Sequence, residues 1–321
     1  MSIPRVKLAH LPTRIEYLPR VTAALGGPQI YCKRDDQTGL GFGGNKTRKL
    51  EFLLAEAEAN NARTLVSMGA IQSNHCRQVA AIAARFGYGC ILVLSGSEPR
   101  VATGNLFLDQ LFGAEIVWAA RENRQQVLEE TFRQAQQAGR KPYMIPYGGS
   151  SATGMMGYVE AMNELASEAV QFDWIVTASS SGGTQAGMML GALTTGYPGK
   201  ILGICIEGSA EELAQTVTSL VREGAELIGE NIEISSDILL VNDHYTGGGY
   251  GVMDKPEIEA IKLFASHEGL LLDPVYTGRA AAGLIDLVRK GYFKKEDKVL
   301  FWHTGGTPAL FAEPYLSLLQ Q

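Results

Sequence analysis

The chain has 321 residues, of which 45% are hydrophobic and 19% charged, and its formal net charge is -6 at pH 7. These values are ordinary for a globular protein, and the length fits two domains of about 100–200 residues each. The acidic balance argues against whole-molecule attraction to nucleic acid or to an anionic membrane, so we expect a small-molecule partner.

The N-terminus and the cysteine and histidine usage bear on location and metal binding. The first 20 residues contain prolines and charges without a continuous apolar segment, so they do not form a signal peptide. No later run approaches the about 18 apolar residues of a membrane span. The four cysteines form no C-x-x-C pair and the five histidines no H-x-x-x-H pair, so we expect no disulfide framework and no metal site. A cytoplasmic protein is predicted.

Short apolar runs alternate with helix-length segments along most of the chain. Strands are predicted at 29–32, 64–70, 90–96, 114–120, 142–148, 173–180, 200–208, 237–243 and 298–305, and helices include 74–87, 127–139 and 154–169. Such alternation predicts an α/β fold of two doubly wound domains, with parallel sheets covered by helices on both faces.

The segment 39–52, GLGFGGNKTRKLEF, joins a glycine-rich turn to the start of a predicted helix. Asn45 is a residue type suited to accept the first free backbone N–H groups, and leucines follow at helical spacing. Lys46, Arg48 and Lys49 then lie in the first turn, where cations oppose the helix dipole and acids would gain about 0.3–1 kcal/mol each. This local conflict favours a functional site over a solvated basic face.

The same glycines allow a second interpretation. Gly39, Gly41 and Gly44 fit G-x-G-x-x-G, which in a dinucleotide-binding unit directly follows a strand and precedes an acidic residue by about 20 positions. Here KRDDQT separates the preceding strand from the glycines, and the strand at 64–70 ends without an acid. Nicotinamide or flavin dinucleotide binding is therefore the weaker interpretation.

Polar segments also follow predicted strands elsewhere. They are GAIQSNH after 64–70, SSSGGTQAG after 173–180, DPVYTGRA after an apolar run at 270–272, and HTGGTPA after the last strand. Ligands of open parallel sheets bind beyond the carboxyl ends of the strands. We therefore expect these segments and the glycine-rich turn to belong to one site.

SSSGGTQAG has the character of an anion cradle. Gly182 and Gly183 let backbone N–H groups turn inward, Ser181 and Thr184 add hydroxyl donors, and a helix starting near Thr184 points its positive end at the ligand. The segment lacks the G-K-[ST] ending of a nucleotide P-loop, which argues against a triphosphate with magnesium. A single phosphate on a small cofactor fits better.

A role for Lys46 follows from its surroundings. Its charged form is disfavoured at a helix N-terminus beside Arg48 and Lys49, and a neutral amine can form a Schiff base with an aldehyde. The small cofactor that carries both an aldehyde and a phosphate is pyridoxal phosphate, and we expect it here.

Six motifs in order, GGNKTRKLEF, GAIQSNH, SSGGTQAG, GGGYG, LLDPVYTG and HTGGTPALF, resemble the fold type II pyridoxal phosphate enzymes of the family that contains 1-aminocyclopropane-1-carboxylate deaminase and D-cysteine desulfhydrase. The resemblance covers residue 10 to the C-terminus. It implies a tryptophan synthase β-like fold, with a large cofactor domain at 1–49 and 156–321 and a smaller inserted domain at 50–155. It also implies a homodimer.

The resemblance assigns cofactor contacts residue by residue. Lys46 matches the lysine that holds the cofactor covalently, and Asn74 matches the asparagine that hydrogen-bonds the pyridine hydroxyl. Thr304 is the expected partner of the pyridine nitrogen. The phosphate loop comprises Ser181, Gly182, Gly183 and Thr184.

The resemblance also implies substrate contacts. Ser73 matches a serine beside the substrate carboxylate, proposed there as a proton-transfer group or nucleophile. Tyr250 and Tyr276 match two active-site tyrosines. The carboxylate-binding segment comprises Gln72, Ser73, Asn74 and His75.

One difference between branches of this family falls at Thr277. The deaminase has a glutamate at this position, directly after the second tyrosine, facing the pyridine nitrogen. A carboxylate makes the ring a strong electron sink, whereas the hydroxyl of Thr277 leaves a weaker one. A weaker sink suffices when a good leaving group sits on the β-carbon, so Thr277 favours β-elimination and the desulfhydrase branch.

The predicted function is thus a carbon–sulfur lyase that releases pyruvate, ammonia and hydrogen sulfide from D-cysteine. L-cysteate sulfo-lyase, which releases sulfite, is the alternative, and the cyclopropane deaminase is less favoured. A sulfonate needs a cationic clamp, for which Arg77 is a candidate, although an arginine one turn into a helix is more often part of a surface ion pair. The α-proton base is either Lys46 or a tyrosine.

Overall fold

The computed structural model describes residues 3–232, 234, 235 and 237–321. Within that part of the chain, ten strands form two sheets. They are β1 Ile15–Tyr17, β2 Gln29–Lys33, β3 Thr64–Ala70, β4 Gly89–Ser95, β5 Glu115–Ala119, β6 Pro142–Met144, β7 Trp174–Ser179, β8 Lys200–Cys205, β9 Leu240–Asn242 and β10 Lys298–Trp302.

The larger sheet has six strands in the order β1-β2-β10-β7-β8-β9. All neighbours pair in parallel except β1, which runs antiparallel to β2 at the edge. The smaller sheet has the order β5-β4-β3-β6 and is parallel throughout. Both orders require crossover connections, as the alternation of strands and helices predicts.

Most helices of the described residues supply those crossovers, although the first connects two antiparallel neighbours and the last follows the final strand. They are α1 Pro19–Leu25, α2 Asn45–Ala59, α3 Asn74–Phe86, α4 Gly104–Leu111, α5 Arg124–Gln137, α6 Ala152–Ala166, α7 Gly183–Thr195, α8 Ala210–Ile228, α9 Lys255–Glu268, α10 Thr277–Arg289 and α11 Tyr315–Leu319. None of these helices is both long and apolar enough to cross a lipid bilayer.

Both faces of the larger sheet are covered, which explains why its strands are apolar at nearly every position. In β10, Val299 and Phe301 pack with α1, α9 and α10, whereas Leu300 and Trp302 pack with α6, α7 and α8. The smaller sheet packs against α2, α3 and α4 on one face and against α5 on the other. The prediction of helices on both faces is confirmed.

Some predicted strands are longer than the structure allows. The run 142–148 is a strand only to Met144, because a tight turn follows at Tyr147–Gly149 with Gly148 at a φ of +64°. Pro146, which has no backbone N–H to donate to a neighbouring strand, lies just before that turn. Residues 270–272 are not in a strand, so DPVYTGRA follows an irregular segment.

The two sheets bring their carboxyl ends to a common cleft. From the larger sheet come the segments that follow β7 and β10, and from the smaller sheet those that follow β3 and β6. The first turn of α2 lies on the same cleft. Polar segments that are far apart in the chain are thereby assembled around one space, as the carboxyl-end rule for parallel sheets predicts.

Candidate active site

Most of the residues that the sequence singles out line this cleft. The structure brings together Lys46, Ser73, Asn74, His75, Ser181, Gly182, Thr184, Tyr276 and Thr304. Tyr250 joins them through its hydroxyl, which lies 2.7 Å from that of Tyr276. Side chains from both sheets thus form a single site.

The basic side chains of the first turn of α2 have different hydrogen-bond partners. Arg48 is buried and its guanidinium donates to both carboxylate oxygens of Asp35, each at 2.9 Å, and also to Glu164. Burial raises the pKa of Asp35, but Arg48 and further donors outweigh this and the net pKa is lowered. Arg48 therefore opposes the helix dipole at little cost, because its charge is balanced inside the protein.

Lys46 and Lys49 both point to the turn after β6. Each donates to the carbonyl oxygen of Gly148, Lys46 at 3.0 Å and Lys49 at 3.2 Å, and neither is paired with a carboxylate among the described residues. Burial lowers the pKa of Lys46 to about 8. The pKa of Lys49 is lowered by burial and then by the charge of Lys46. The lowered pKa of Lys46 has the direction expected from its position at a helix N-terminus beside Arg48 and Lys49, but its cause is desolvation.

Gly148 is the point where the amine and the predicted phosphate loop meet. A Cβ atom built on Gly148 would lie 2.3 Å from Ser181 Oγ and 3.5 Å from Lys46 Nζ. The glycine also needs its φ of +64°, which side chains disfavour. The lysine of α2 and the serine–glycine segment after β7 are therefore close enough to hold one small molecule.

The segment after β7 has the geometry of an anion cradle. Gly182 adopts a φ of +77° and α7 begins at Gly183, so the first N–H groups of this 13-residue helix open toward the cleft. Ser150 Oγ lies 2.8 Å from Ser181 Oγ and accepts from Gly183 N at 3.2 Å, while Lys49 Nζ donates to it at 3.3 Å. The buried amine of Lys49 thus lies behind the cradle.

Asn45 connects α2 to this cradle. It was expected to cap α2, but its side-chain Nδ2 instead donates to Thr184 Oγ1 at 3.0 Å. Its backbone N–H donates to the carbonyl oxygen of Thr304. The start of α2 is therefore attached to the ends of β7 and β10 rather than closed by a local cap, and this attachment places Lys46 between them.

Ser73 and His75 lie at the start of α3. Ser73 is the N-cap, and its Oγ accepts from the backbone N–H of Cys76 at 3.2 Å. His75 Nε2 lies 2.9 Å from Ser67 Oγ, whose proton is directed to the carbonyl of Ile145. Burial, with the charges of Lys46 and Lys49, lowers the pKa of His75 well below its ordinary range, so the imidazole is neutral.

Tyr250 and Tyr276 form a hydrogen-bonded pair at the edge of the cleft. Their rings meet edge to face with centroids 6.0 Å apart. Burial is the main reason that the pKa of each phenol is raised, and Tyr147 adds to the rise in both, whereas the hydrogen bond with Tyr276 reduces the rise for Tyr250. Both hydroxyls therefore keep their protons at neutral pH, which suits donors and does not suit bases.

Three predicted site residues have polar groups that are already hydrogen-bonded within the protein. Gln72 uses its amide to hold α4, with Nε2 donating to Thr103 O and Oε1 accepting from Asn105 N. The hydroxyl of Thr277 is buried and donates to Asp273 Oδ1 at 2.8 Å. Gly183 contributes its N–H to Ser150, and its α-carbon lies against that residue.

Arg77 is not the surface residue that its position in a helix suggests. Its side chain is fully buried, with Nη2 donating to Gly43 O and Nη1 to Asn74 and Asn105. These contacts direct the guanidinium into the protein beneath Asn74. Its Nε has no hydrogen-bond partner among the described residues but is buried, and Arg77 does not line the cleft, so it is not placed to clamp a sulfonate there.

The sequence interpretation missed several residues of the site. They are Asn45, Lys49, Tyr147, Gly148, Ser150, Ser179 and Ser180. The segment GGSSATG at 148–154 indicates part of the site, since its small residues before a predicted helix resemble the other strand-end segments. Reading the chain as a strand up to residue 148 concealed it.

The residues present fit pyridoxal phosphate. Lys46 offers an amine of lowered pKa, and the cradle offers backbone N–H groups, hydroxyls and the amine of Lys49 to a phosphate. Ser179 Oγ, at the end of β7, is buried and has no hydrogen-bond partner among the described residues, so a polar group remains for a ligand. Among the described residues, no group of three or more His, Cys, Asp or Glu side chains is placed to hold a metal ion.

Comparisons with known proteins agree with this chemistry. Residues 6–305 match the family described as pyridoxal-phosphate dependent enzyme. D-cysteine desulfhydrase of Klebsiella pneumoniae (strain 342) is 42% identical over 323 aligned positions, which cover 98% of this chain and 97% of that protein.

Solved structures show the same architecture. A homologue of ACC deaminase is 39% identical with a TM-score of 0.91, covering 99% of this chain and 96% of the other. A pyridoxal 5'-phosphate-dependent aspartate racemase shares the fold at 17% identity, with a TM-score of 0.69 over 92% and 90% of the two chains. The predicted fold type II architecture is confirmed, and the chain belongs to the pyridoxal-phosphate dependent enzyme family.

Proposed function

We propose that this protein is a D-cysteine desulfhydrase, which converts D-cysteine and water to pyruvate, ammonia and hydrogen sulfide. The observation that carries the proposal is the 42% identity with a D-cysteine desulfhydrase over 98% of this chain. A lysine of lowered pKa and a pair of protonated tyrosines at the same cleft provide a base and a proton donor for an elimination.

Lys46 and the cradle would hold the cofactor. The amine of Lys46 would bond to its aldehyde carbon with loss of water, and the phosphate would be bound by Ser181, Gly182, Gly183 and Thr184. Lys49 adds the positive charge nearest to the cradle. When bound, pyridoxal phosphate supplies an electron sink that stabilises negative charge at the substrate α-carbon.

Ring contacts are assigned to Asn74 and Thr304. Asn74 would donate to the ring oxygen, and the hydroxyl of Thr304 would be the partner of the ring nitrogen. Thr277 supports the site indirectly, because its hydroxyl is bound to Asp273, and Asp273 also accepts from the backbone N–H of Tyr276. Thr304 instead of Thr277 is therefore assigned as the neutral hydroxyl beside the ring nitrogen, which leaves the ring a weak electron sink.

The substrate carboxylate is bound at the start of α3. Ser73 contributes its hydroxyl, and the backbone N–H groups of Asn74 and His75 lie in the first turn of that helix, where anions are favoured. Gln72 shapes this turn through its bonds to α4 and does not reach the carboxylate with its side chain.

Two protons move in the proposed reaction. Lys46 Nζ, with its pKa of about 8, takes the α-proton, since the raised pKa values of both tyrosines exclude them as bases at neutral pH. The Tyr276 hydroxyl donates to the leaving sulfur, and Tyr250 holds that hydroxyl in place at 2.7 Å.

A substrate panel tests the assignment. D-cysteine, L-cysteine, L-cysteate and 1-aminocyclopropane-1-carboxylate are supplied separately, and pyruvate, 2-ketobutyrate, sulfide and sulfite are measured. We expect sulfide and pyruvate from D-cysteine at the highest kcat/KM, with Lys46→Ala as the inactive control. Sulfite from L-cysteate without sulfide from D-cysteine would overturn the proposal, and 2-ketobutyrate as the main product would replace it with the deaminase.

The domain division is also a proposal. A large domain at 1–49 and 156–321 and an inserted domain at 50–155 are supported by the origin of the strands, since β3 to β6 alone form the smaller sheet. The two boundaries fall inside α2 and α6, which pack against each other. We further propose that the protein is a cytoplasmic homodimer. Light scattering of the purified protein tests whether it is a dimer.

A further inference from the structure

The side-chain amide of Asn74 has its two ends distinguished by its neighbours. Its Oδ1 accepts from Arg77 Nη1 at 3.2 Å and from Asn105 Nδ2 at 2.9 Å. A guanidinium has donors and no acceptor, so the atom facing Arg77 has to be the oxygen. The Nδ2 end is consequently directed away from Arg77, and it lies 2.7 Å from the position that a Cβ on Gly306 would take.

The amide of Asn105 is oriented by the same guanidinium. Its Oδ1 accepts from Arg77 Nη1 at 2.8 Å, which leaves its Nδ2 to donate to Asn74 Oδ1 and to Gln72 O, the latter at 2.8 Å. One donor group of Arg77 thus determines the direction of two amides in series. Both Arg77 and Asn105 are fully buried, so water does not compete for these bonds.

Backbone contacts hold this network in place. Arg77 Nη2 donates to Gly43 O at 2.8 Å, which lies directly before the start of α2. Gln72 fixes Asn105 from the other side through the N–H of that residue. Burial lowers the pKa of Arg77 to about 10, so the guanidinium still carries its proton at neutral pH.

From these contacts we infer that Arg77 and Asn105 are positioning residues that keep the N–H₂ end of Asn74 facing the cofactor ring. The inference rests on the proposed role of Asn74 as donor to the ring oxygen. Neither residue touches the cleft itself. Their function is to prevent the amide from rotating by half a turn, which would present an oxygen to the ring oxygen and replace an attraction by a repulsion.

The orientation of this amide has a spectroscopic consequence. A donor stabilises negative charge on the ring oxygen. The oxygen then attracts the proton on the neighbouring lysine nitrogen less strongly, so the nitrogen loses that proton at lower pH. Loss of that donor makes the nitrogen hold its proton to higher pH. We expect the midpoint of the pH titration of the visible absorbance to rise by about one pH unit, the size of one charge-assisted hydrogen bond.

Asn105→Asp is the informative variant. It keeps an acceptor for Arg77 but replaces the shorter of the two donor contacts to Asn74 Oδ1 by an acceptor, so only the 3.2 Å contact from Arg77 still holds that oxygen while the new carboxylate favours the reversed amide. Asn74→Ala is the reference for complete loss of the donor. Leu106→Ala is the matched control, because Leu106 is also fully buried in α4 and contacts apolar side chains. The pH midpoint and the ratio of the two absorbance bands are recorded for each cofactor-loaded protein.

Support for the inference is a shift in N105D that approaches that of N74A, with L106A unchanged. A shift in N74A together with a parent-like N105D overturns the inference and leaves the role of Asn74 intact. A parent-like N74A overturns that proposed role and the inference with it. An equal shift in L106A overturns the inference as well, because general loosening of α4 would then explain the effect.

Discussion

Arg48 and Asp35 form a two-pronged ion pair inside the protein, with Arg48 Nε and Nη2 donating to the two carboxylate oxygens of Asp35 at 2.9 Å. Tyr158, Thr13 and Trp302 donate to the same carboxylate. The pair attaches the first turn of α2 to the segment after β2. The ion pair therefore helps to fix the position of the backbone at Lys46.

Removal of this carboxylate is expected to be severe. Asp35→Ala leaves the buried charge of Arg48 with only Glu164 and costs about 3–5 kcal/mol of unfolding free energy. Denaturant unfolding measures the loss. Glu259→Ala is the control, since its pair with Arg289 has both side chains about half exposed, and we expect a loss below about 1 kcal/mol. Similar losses in the two variants would contradict the explanation.

The lowered pKa of Lys46 predicts how the apoprotein takes up its cofactor. An amine with a pKa of about 8 is neutral above that pH, whereas an ordinary lysine becomes neutral only above 10.5. The rate of covalent reloading should therefore rise with pH and level off above about 8. The amine of N-acetyl-lysine serves as control under the same conditions. A rate that keeps rising toward pH 10 would contradict the burial of the amine.

The lowered pKa of Lys46 also predicts how the unfolding free energy of the apoprotein changes with pH. In the apoprotein, folded Lys46 releases its proton near pH 8, while the unfolded chain retains it up to about 10.5. The unfolded state binds more protons in this window, so unfolding free energy rises between these two pH values. The increase should be smaller in Lys46→Met, where only the lowered pKa of Lys49 still contributes, and equal slopes for the two apoproteins would show that the Lys46 amine is not desolvated.

Gly148→Ala tests the meeting point of lysine and cradle. The new methyl group would overlap Ser181 Oγ, and the left-handed backbone adds about 1–2 kcal/mol of strain. We expect cofactor affinity to fall about tenfold or more. Gly139→Ala has the same kind of strain at a φ of +71° with no atom within 4 Å, so it should lower stability without changing affinity. Equal affinities in both variants would rule out the overlap.

Tyr276→Phe separates proton donation from positioning. With D-cysteine the leaving sulfur needs a proton, so kcat should fall about 100-fold or more. With β-chloro-D-alanine the leaving chloride needs none, and kcat should stay close to that of the parent. An equal loss with both substrates would show that the hydroxyl acts by placing the substrate.

Asp109 predicts a pH effect outside the site. Its side chain is buried in α4, and neither carboxylate oxygen has a hydrogen-bond partner among the described residues. Burial raises its pKa well above the ordinary 3.8, an effect that Arg77 reduces. The folded state then holds a proton that the unfolded state has lost, so unfolding free energy falls as pH rises above 3.8. Asp109→Asn should remove this decline, and an unchanged slope would contradict it.

The amino-acid sequence alone was sufficient for the class of fold and the main chemistry. The alternation of apolar strands with helices predicts doubly wound sheets, because burial on both faces requires continuous apolar runs. The glycines of SSSGGTQAG indicate an anion cradle, since a local backbone shape is enough to form one. The lysine in a helix start and its partner motifs follow from short segments of chain.

The tertiary structure decided which of those side chains reach the cleft. Lys49 and Ser150 meet at 3.3 Å across 101 positions of sequence, and Arg48 is paired with Asp35, a contact that no local pattern reveals. The directions of Gln72 and Thr277 likewise depend on partners, α4 for one and Asp273 for the other. A side chain turns toward the strongest available partner once it is buried, and that partner is known only when distant segments have packed together.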